Sequence, residues 1–404
     1  MTETSGGIRG TVADGFDAVR DAFEANFTEH GDVGAGTAVF VDGECVVDLT
    51  GGVTDPEEGR PYDADTLQLV FSSTKGVAAI AAHLLVQRGQ LDVDARVADL
   101  WPEFAQNGKE DVTVAQVLSH RVGLPVIDER LSLDQVVQIQ PVVDALAAQA
   151  PMWEPGTAHG YHALTFGWLV GEIVKRVDGR TIGEFVADEL AGPLDLDLWI
   201  GLPEDQDHRI APLIASMPGD GTGDDMDLGS VDPEIAPLLG ELATAFLDPE
   251  STLNRALHLN GAFMEGEGLA WNRPEVWRSQ IPAANGITNA RSLAKLYSSC
   301  VVETDGVRML DDETVARATE EHSNDRDQTL VVPTRFGLGF FLPSTFSPLM
   351  GGNSFGHAGA GGSLGLADPD RRVGFAYVMN RMSANLSNDQ RTAGLIDAVK
   401  GALD

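Results

Sequence analysis

The stretch Phe71-Ser72-Ser73-Thr74-Lys75 carries more structural information than any other part of this chain. Residues 66–71 form a strand-like run before it, and residues 76–87 form a helix-like run after it. Residues three apart in a helix share a face, so Lys75 would hold its amine beside the Ser72 hydroxyl. A lysine in apolar surroundings loses its preference for charge and can accept a proton from serine. The stretch therefore predicts a serine nucleophile with a lysine base.

The same spacing occurs a second time, in Ser292-Leu293-Ala294-Lys295. Around it, residues 289–301 carry apolar side chains at helical spacing, and Ser292 and Lys295 fall on the other side, where we expect a solvated face. The run after Ser72 is apolar nearly all round, which predicts a central, buried helix. Lysine is rarely buried in proteins, so a lysine at the start of a buried helix indicates a functional role. We therefore interpret Ser72 as the functional copy.

The composition indicates a globular protein with a large core. The chain has 404 residues, of which 43% are hydrophobic, enough for one to three structural units. No apolar run approaches 18 residues, so we expect no membrane span. The first residues have neither a basic nor an apolar segment, so we expect no signal peptide. Cys45 and Cys300 lack metal-ligand or C-x-x-C spacing, and we interpret them as free buried thiols, with a disulfide as the alternative.

The charge is strongly acidic. Asp and Glu number 62 against 27 Lys and Arg, which gives a formal net charge of -35, and only 5 of the basic residues are lysines. Self-repulsion of this size destabilises a compact state, but at molar salt the Debye length falls to about 3 Å. We therefore predict a cytoplasmic protein from a salt-accumulating cell, with an ordinary acidic protein as the alternative. This field excludes nucleic acid as a partner.

The pattern of elements predicts an α+β fold, with helices flanking an antiparallel β-sheet built from both chain ends and a mainly helical inserted region between them. A hairpin is predicted around Asp42-Gly43. Predicted strands are 37–41, 44–49, 337–342, 363–367 and 374–379, and predicted helices are 14–29, 112–118, 137–149, 164–177, 181–190 and 391–403. The corresponding domain division is 1–80 with 290–404 for the sheet region, and 81–289 for the helical region with an acidic surface loop at 203–235. A calcium-loop interpretation from Asp220 fails, because position 12 is Val231 instead of glutamate.

Two further segments can complete a serine-hydrolase site. Tyr161 opens an apolar helix that begins near Leu164, and a tyrosine can move a proton if a cationic neighbour lowers its pKa from about 10. The alternative is a core tyrosine with a satisfied hydroxyl. Glycines also cluster after His357, in the run His357-Ala358-Gly359-Ala360-Gly361-Gly362-Ser363. Such a run lets backbone amides approach a ligand and stabilise an oxyanion. The alternative there is a glycine-rich hairpin with an incidental histidine.

These motifs resemble those of the serine β-lactamase and penicillin-binding-protein-like family, and within it the class C β-lactamases and family VIII carboxylesterases. The family's S-x-x-K matches Ser72 to Lys75. Its tyrosine matches Tyr161, and its late Lys-Thr-Gly-like strand motif matches residues 357–359. The resemblance covers one β-lactamase-like unit, residues 14–402. It implies that the amides of Ser72 and Ala360 form the oxyanion hole, and that a histidine in the helix-ending stretch 117–124 is structural.

Two departures from the family pattern bear on the substrate. The family's Tyr-x-Asn becomes Tyr161-His162-Ala163, so the asparagine that contacts a β-lactam side-chain amide is missing. The family's Lys-Thr-Gly becomes His-Ala-Gly, and a histidine with a pKa near 6.5 supplies no fixed charge at pH 7 for a substrate carboxylate. Both changes are typical of the esterases that this chain resembles.

The sequence therefore predicts a serine esterase for a small-molecule ester substrate. Ser72 would attack the ester, Lys75 and Tyr161 would share the base role as a coupled pair, and His357, Gly359 and Ala360 would bind substrate and oxyanion. Neither a metal nor an organic cofactor is expected, and no oligomeric state is indicated. A β-lactamase or D-amino-acid peptidase of the same family is the first alternative. A catalytically idle binding protein on the same fold is the second.

Overall fold

The computed structural model describes residues 7–215, 236–383 and 389–404. Its strands come mostly from the two ends of the chain. They are β1 (Arg9–Val12), β2 (Gly34–Val41), β3 (Glu44–Gly52), β4 (Gln68–Leu69), β5 (Leu198–Ile200), β6 (Gly286–Thr288), β7 (Ser323–Arg326), β8 (Pro333–Phe336), β9 (Phe355–Ala358), β10 (Leu364–Asp368) and β11 (Val373–Met379).

Helices occur along the whole chain and are most frequent in its middle. They are α1 (Asp17–Thr28), α2 (Ser73–Gln87), α3 (Val97–Leu100), α4 (Val114–Leu118), α5 (Leu133–Val137), α6 (Gln140–Ala148), α7 (Thr165–Asp178), α8 (Ile182–Phe185), α9 (Gly192–Leu194), α10 (Ala236–Leu247), α11 (Thr252–Leu257), α12 (Pro274–Arg278), α13 (Ala290–Ser299), α14 (Asp312–Ala318) and α15 (Gln390–Leu403). A π-helical turn (Val186–Ala191) joins α8 to α9. Short 3₁₀ turns are Pro102–Phe104, Glu204–Arg209, Ala262–Met264, Ala270–Asn272 and Ala360–Gly362.

Both chain ends supply strands to one antiparallel sheet, in the order β1-β3-β2-β11-β10-β9. The ends meet where β2 pairs with β11. The predicted hairpin is confirmed, since β2 and β3 pair with Val41 opposite Glu44. Asp42 and Gly43 between them have φ of 52° and 84°, as a type I′ turn requires. The α+β sheet built from both ends is therefore confirmed, whereas the numbered domain division stays a prediction.

Helices cover both faces of this sheet. On one face α1 packs against α15 over a core that includes Val19, Phe23, Phe375, Leu395 and Val399. On the other face α13 packs against β2, β10 and β11. Behind it lies α2, in which every residue from Ser73 to Leu85 is buried. A helix that is apolar on all sides is stable only when other elements surround it, and α7 and β9 do so here.

A second, small sheet fixes the chain just before α2. It has the order β4-β6-β5, and β4 places Leu69 opposite Ile287. Two hydrogen bonds continue the attachment, from the Val70 amide to the Gly286 carbonyl at 2.9 Å and from the Gly286 amide to Thr74 Oγ1 at 2.8 Å. Residues more than two hundred positions apart thus hold the start of α2.

The prediction of a strand over 337–342 was wrong. The strand β8 ends just before this span, at Phe336, and within the span only Phe341 makes isolated bridges, to Phe336 and Gly356. The cause is Gly339, whose φ of 89° bends the chain where it presses against α2. A Cβ at Gly339 would lie 2.5 Å from the Ala79 side chain. The strand-like run 66–71 is likewise reduced to the two residues of β4.

The helix predicted over 137–149 is α6, which begins later, at Gln140, while Val137 is the last residue of α5. Pro141 cannot donate its backbone hydrogen bond, and Ile139 takes a left-handed φ of 69°, so the chain restarts as α6. Much of the predicted acidic loop 203–235 lies outside the described residues, which end at 215 and resume at 236. Among the described residues, no helix is long and apolar enough to cross a membrane.

We predict that salt stabilises this fold. The net charge of -35 repels itself at low ionic strength, and screening removes most of that repulsion. Relief of several kcal/mol would raise the thermal midpoint by about 5–10 °C for a large domain. Differential scanning fluorimetry between 0.1 M and 2 M KCl measures the shift, with matched sucrose solutions as the control. A midpoint that is unchanged by KCl would contradict the prediction.

Candidate active site

Ser72 lies at a sharp turn between β4 and α2. The preceding Phe71 has a left-handed φ of 43°, which a bulky residue adopts only when its surroundings hold it there. Phe71 is buried, and its ring packs edge-to-face with that of Trp271, with the ring centroids 5.2 Å apart. The Phe71 carbonyl accepts a hydrogen bond from Thr74 Oγ1 at 2.5 Å. Ser72 itself stays partly exposed at the first position before the helix. The turn therefore presents a hydroxyl to incoming molecules.

The Lys75 amine is directed at that hydroxyl. Its Nζ lies 3.0 Å from Ser72 Oγ, 2.6 Å from the Ala163 carbonyl and 3.0 Å from the Ala283 carbonyl. Burial holds the pKa of Lys75 well below its usual range. A neutral amine has two N–H donors and one lone pair. The two carbonyls can accept both N–H groups, which leaves the lone pair to accept the Ser72 proton.

Tyr161 completes the group from the opposite side. Its side chain hydrogen-bonds Ser72, and its ring centroid lies 4.7 Å from Lys75 Nζ. Burial raises the pKa of Tyr161, with the Ser72 hydrogen bond acting in the other direction. The expected lowering by a cationic neighbour is not found, since Lys75 favours its neutral form. The phenol is thus a proton donor in the resting site, while Lys75 is the proton acceptor.

The glycine-rich segment after β9 packs directly on the Ser72 turn. Ser73 Oγ donates to the His357 carbonyl at 3.1 Å, and Ser363 Oγ donates to the Val70 carbonyl at 2.7 Å. A Cβ at Gly359 would lie 2.3 Å from the Val70 carbonyl oxygen and 3.2 Å from the Ser72 amide nitrogen. Only glycine allows this approach, which brings the following residue beside Ser72.

Two backbone amides remain available at this contact. Within the described part of the chain, neither the Ser72 amide nor the Ala360 amide has a hydrogen-bond acceptor. Ser72 is half-buried and Ala360 is exposed, so both amides are open to an incoming molecule. Unpaired backbone amides on either side of a serine hydroxyl suit an oxyanion. The Gly361 carbonyl, one residue further, accepts a hydrogen bond from the buried Arg391 of α15, which holds the turn in place.

The His357 side chain is buried and neutral. Its Nδ1 lies 2.7 Å from the Ala358 carbonyl and donates to it, so Nε2 carries the lone pair. In the described residues, Nε2 has no partner. Burial, and secondarily the nearby Lys75, hold the pKa of His357 well below its usual range. The ring stacks on Tyr161 with centroids 5.9 Å apart. The His357 side chain therefore presents a neutral hydrogen-bond acceptor to the site and no positive charge.

Two further buried histidines are structural. His120 Nδ1 accepts from the His162 amide at 3.1 Å, and His162 Nε2 accepts from the Leu124 amide at 2.9 Å. His162 Nδ1 donates to the Gly160 carbonyl at 2.6 Å. Burial lowers the pKa of both, that of His162 to about 3. The site thus holds neutral histidines beside its lysine.

Comparisons with known proteins identify the family. A family model described as Beta-lactamase matches residues 19–400. The chain belongs to the β-lactamase family. It is 36% identical over 379 residues to the Esterase/beta-lactamase LipL of Mycobacterium tuberculosis, covering 92% of this chain and 82% of that protein.

Two similar solved structures superimpose over nearly the whole chain. One titled as a family VIII carboxylesterase gives a TM-score of 0.84 at 35% identity, covering 98% of this chain and 99% of the other. A penicillin-binding protein homolog from Caulobacter crescentus gives 0.82 at 37% identity, with coverage of 98% and 99%. Proteins similar to this chain are thus described in different terms, so the substrate must be argued from the residues.

The second S-x-x-K copy is not a β-lactamase-family site, and the solvated face predicted for it was wrong. Ser292 is buried, and its Oγ accepts from the Asp197 amide at 2.9 Å. Lys295 Nζ donates to the Leu194 carbonyl at 2.7 Å and pairs with Asp305 at 2.6 Å. The polar side of this helix meets another part of the protein instead of water. Ser292 and Lys295 therefore have structural partners.

The cysteine prediction was half right. Both thiols are free and Cys300 is buried, but Cys45 is exposed, because it follows Glu44 at the exposed start of β3. Among the described residues, no group of three or more His, Cys, Asp or Glu is arranged to hold a metal ion. Sequence reasoning missed the Ala163 and Ala283 carbonyls and Arg391. The carbonyls belong to the backbone, and the partners of Arg391 are set only by the fold.

We predict that Gly359→Ala abolishes most of the hydrolytic activity. The added Cβ would collide with the Val70 carbonyl and with Ser363 Oγ, and the backbone would have to move away from Ser72. Loss of one oxyanion donor typically lowers kcat by about 10²–10³-fold. Gly352→Ala is the matched control, because nothing lies within 4 Å of a Cβ at that exposed glycine. Steady-state kinetics on a p-nitrophenyl ester provide the measurement, and equal activity in the two variants would contradict the prediction.

Proposed function

We propose that this protein is a carboxylesterase that forms an acyl-enzyme on Ser72. The observation that carries the proposal is the buried Lys75 amine, held by two carbonyls with its remaining lone pair toward Ser72 Oγ. Membership of the β-lactamase family and the likeness to a family VIII carboxylesterase support it. A desolvated lysine beside a serine is an activated nucleophile pair.

Acylation begins when Ser72 Oγ attacks the ester carbonyl carbon and its proton passes to Lys75 Nζ. The carbonyl oxygen becomes an oxyanion, which the amides of Ser72 and Ala360 stabilise. The tetrahedral intermediate then collapses, the bond to the alcohol oxygen breaks, and Tyr161 donates its hydroxyl proton to that oxygen. The proton on Lys75 returns to Tyr161, so both groups end as they began. Ser72 now carries the acyl group.

Deacylation repeats these steps with water. Water attacks the acyl carbon and gives a proton to the Lys75 and Tyr161 pair, while the same two amides hold the oxyanion. The bond to Ser72 Oγ then breaks, and the proton returns to that oxygen, which releases a carboxylic acid. The two groups titrate as a pair, so a pH profile reports the pair instead of either residue.

The substrate class follows from the neutral surroundings of Ser72. β-Lactams and D-amino-acid peptides carry a carboxylate, and burying a carboxylate without a cation is costly. His357 offers a lone pair at this position, which repels a carboxylate. Ala163 supplies only its backbone carbonyl, and that carbonyl is occupied by Lys75. These features favour uncharged esters. The β-lactamase alternative retains support from the similar Esterase/beta-lactamase LipL.

The setting of this activity is also proposed. The net charge of -35 and the scarcity of lysine support a protein that works in the salt-rich cytoplasm of its cell. Nucleic acid remains an excluded partner on the same ground. A small, uncharged ester is the expected partner.

We predict that Ser72→Ala lowers ester hydrolysis at least about a thousandfold, because removal of a catalytic nucleophile leaves only binding and the oxyanion site. Ser292→Ala is the matched control, since it removes the serine of the second S-x-x-K copy. Turnover of p-nitrophenyl butyrate in 2 M KCl measures both. A fluorophosphonate probe should label the wild type and the control, and not Ser72→Ala. Failure of the probe to label the wild type would favour the idle binding protein.

We predict that His357→Lys improves cephalosporin cleavage relative to ester cleavage. A charged hydrogen bond to the substrate carboxylate is worth about 1.5–3 kcal/mol, or about 10–100-fold in kcat/KM. His357→Gln is the control, because it changes the side chain without adding charge. The measurement is the ratio of kcat/KM for a chromogenic cephalosporin to that for a p-nitrophenyl ester. Comparable or faster cephalosporin cleavage by the wild type would instead support the β-lactamase.

A further inference from the structure

A buried carboxylate holds the backbone of Tyr161. The Tyr161 amide lies 2.9 Å from both Oδ1 and Oδ2 of Asp327 and donates to them. The Asp327 side chain is completely buried, in the turn between β7 and β8. Burying a carboxylate is costly unless its oxygens are well supplied with donors. We therefore infer that Asp327 does more than form its own turn.

The remaining contacts of Asp327 fix it rigidly. Oδ1 accepts from the amides of Thr329 and Leu330, each at 2.8 Å, and Oδ2 accepts from Thr334 Oγ1 at 3.1 Å. The Thr334 hydroxyl has one proton, so His159 Nε2, at 2.9 Å from it, must be the donor of that second bond. Burial raises the pKa of Asp327 overall, and the backbone amides and His159 oppose that shift. The donors around both oxygens are those that would stabilise the ionised carboxylate.

Tyr161 has little freedom at either of its peptide bonds. Its own amide is held by Asp327, and the next amide, of His162, is held by His120 Nδ1. Before it, Gly160 has no room, since a Cβ there would lie 2.7 Å from the Trp153 ring and 2.9 Å from Thr329 Oγ1. The backbone of Tyr161 is thereby clamped on both sides.

The Tyr161 ring, in contrast, packs mainly among aromatic rings and small apolar side chains, besides the hydrogen bond of its hydroxyl to Ser72. It stacks on Phe336 and Phe341 with centroids 6.2 Å and 6.0 Å away, and on His357 at 5.9 Å. Stacked faces permit sliding, so they do not set the depth of the hydroxyl relative to Ser72. That depth follows from where the backbone of Tyr161 is anchored.

We propose that Asp327 is a positioning residue for Tyr161, and that its carboxylate sets the distance of the Tyr161 hydroxyl from Ser72 Oγ. The proposal rests on the proposed function, in which Tyr161 gives its proton to the leaving alcohol. Asp327 touches no reacting atom, and its direct contact with Tyr161 is through the Tyr161 amide.

Asp327→Asn tests the proposal. The amide keeps the shape of the side chain but has one acceptor oxygen in place of two, and its NH₂ group would face amide donors. A displacement of about 1 Å at a catalytic group costs about 10²-fold in rate. We expect kcat for a p-nitrophenyl ester to fall about 10–100-fold, with KM changed less than about threefold, because ester binding does not depend on Tyr161.

Asp368→Asn is the matched control. Asp368 is also a completely buried aspartate at a strand end, and its Oδ1 accepts from the amides two and three residues later, at 3.0 Å and 3.1 Å. This is the same turn that Asp327 makes, without the bond to Tyr161. We expect both variants to lower the thermal midpoint and only Asp327→Asn to lower kcat. Equal kcat in the two variants would overturn the proposal.

A Tyr161→Phe background separates positioning from general loss of structure. If Asp327 acts through the Tyr161 hydroxyl, Asp327→Asn should lower kcat at least about fivefold less in that background than in the wild type, since residues that act as a unit are non-additive. An undiminished effect would overturn the proposal. Full activity of Tyr161→Phe itself would instead overturn the proton role of Tyr161, and the positioning role with it.

Thr334→Val provides a second variant if Asp327→Asn does not fold. It removes one of the hydrogen bonds to Oδ2 and leaves both contacts to the Tyr161 amide. We expect a smaller loss of kcat, about two- to fivefold, in the same direction and again with little change in KM. A folded Thr334→Val protein with unchanged kcat, together with unfolded Asp327→Asn, would reduce Asp327 to a structural residue and overturn the proposal.

Discussion

The desolvation of the Lys75 amine is the constraint on which the rest of this site depends. Burial is the only cause found for its lowered pKa, and its three neighbours are a hydroxyl and two carbonyls. A carboxylate in contact would restore the charge and remove the lone pair that Ser72 needs. This accounts for the neutral surroundings, in which His120, His162 and His357 all have lowered pKa values. His357 likewise adds no positive charge to this buried site.

The helix that carries Lys75 is built to be buried. Alanines and a glycine let α2 pass close to its neighbours, and a Cβ at Gly76 would lie 1.9 Å from the Tyr297 hydroxyl. The same closeness forces the left-handed turn at Phe71, since β4 must end and α2 must begin within a few residues. Packing against Trp271 stabilises that turn. The exposed hydroxyl of Ser72 and the buried amine of Lys75 are thus two consequences of one packing arrangement.

The sequence predicts those parts of the site that depend on side-chain type at short spacing. Ser72 and Lys75 follow from helical periodicity in an apolar run, and the Asp42-Gly43 hairpin follows from turn chemistry. It does not predict the carbonyls of Ala163 and Ala283, because any residue has a carbonyl and only the fold brings these two to Lys75. At Ser292 the prediction from sequence was wrong, because it placed this residue on a solvated face. Its helix is amphipathic as predicted, but the polar side meets the Asp197 amide, and periodicity alone cannot distinguish water from another backbone.

Asp327 shows why the acidic composition and the chemistry of the site can coexist. In a chain with 62 acidic residues, most carboxylates lie at the surface, where salt screens them within about 3 Å at molar concentration. A surface charge therefore cannot tune Lys75 under those conditions. Burial, carbonyl contacts and hydrogen bonds act at shorter range and are insensitive to salt. Asp327, although charged and near the site, directs its oxygens at backbone amides and a hydroxyl. Its oxygens are thus supplied with donors locally, and its charge raises the pKa of the Tyr161 hydroxyl in the same direction as burial, the larger cause. Asp327 therefore supports both the position and the neutral form of Tyr161.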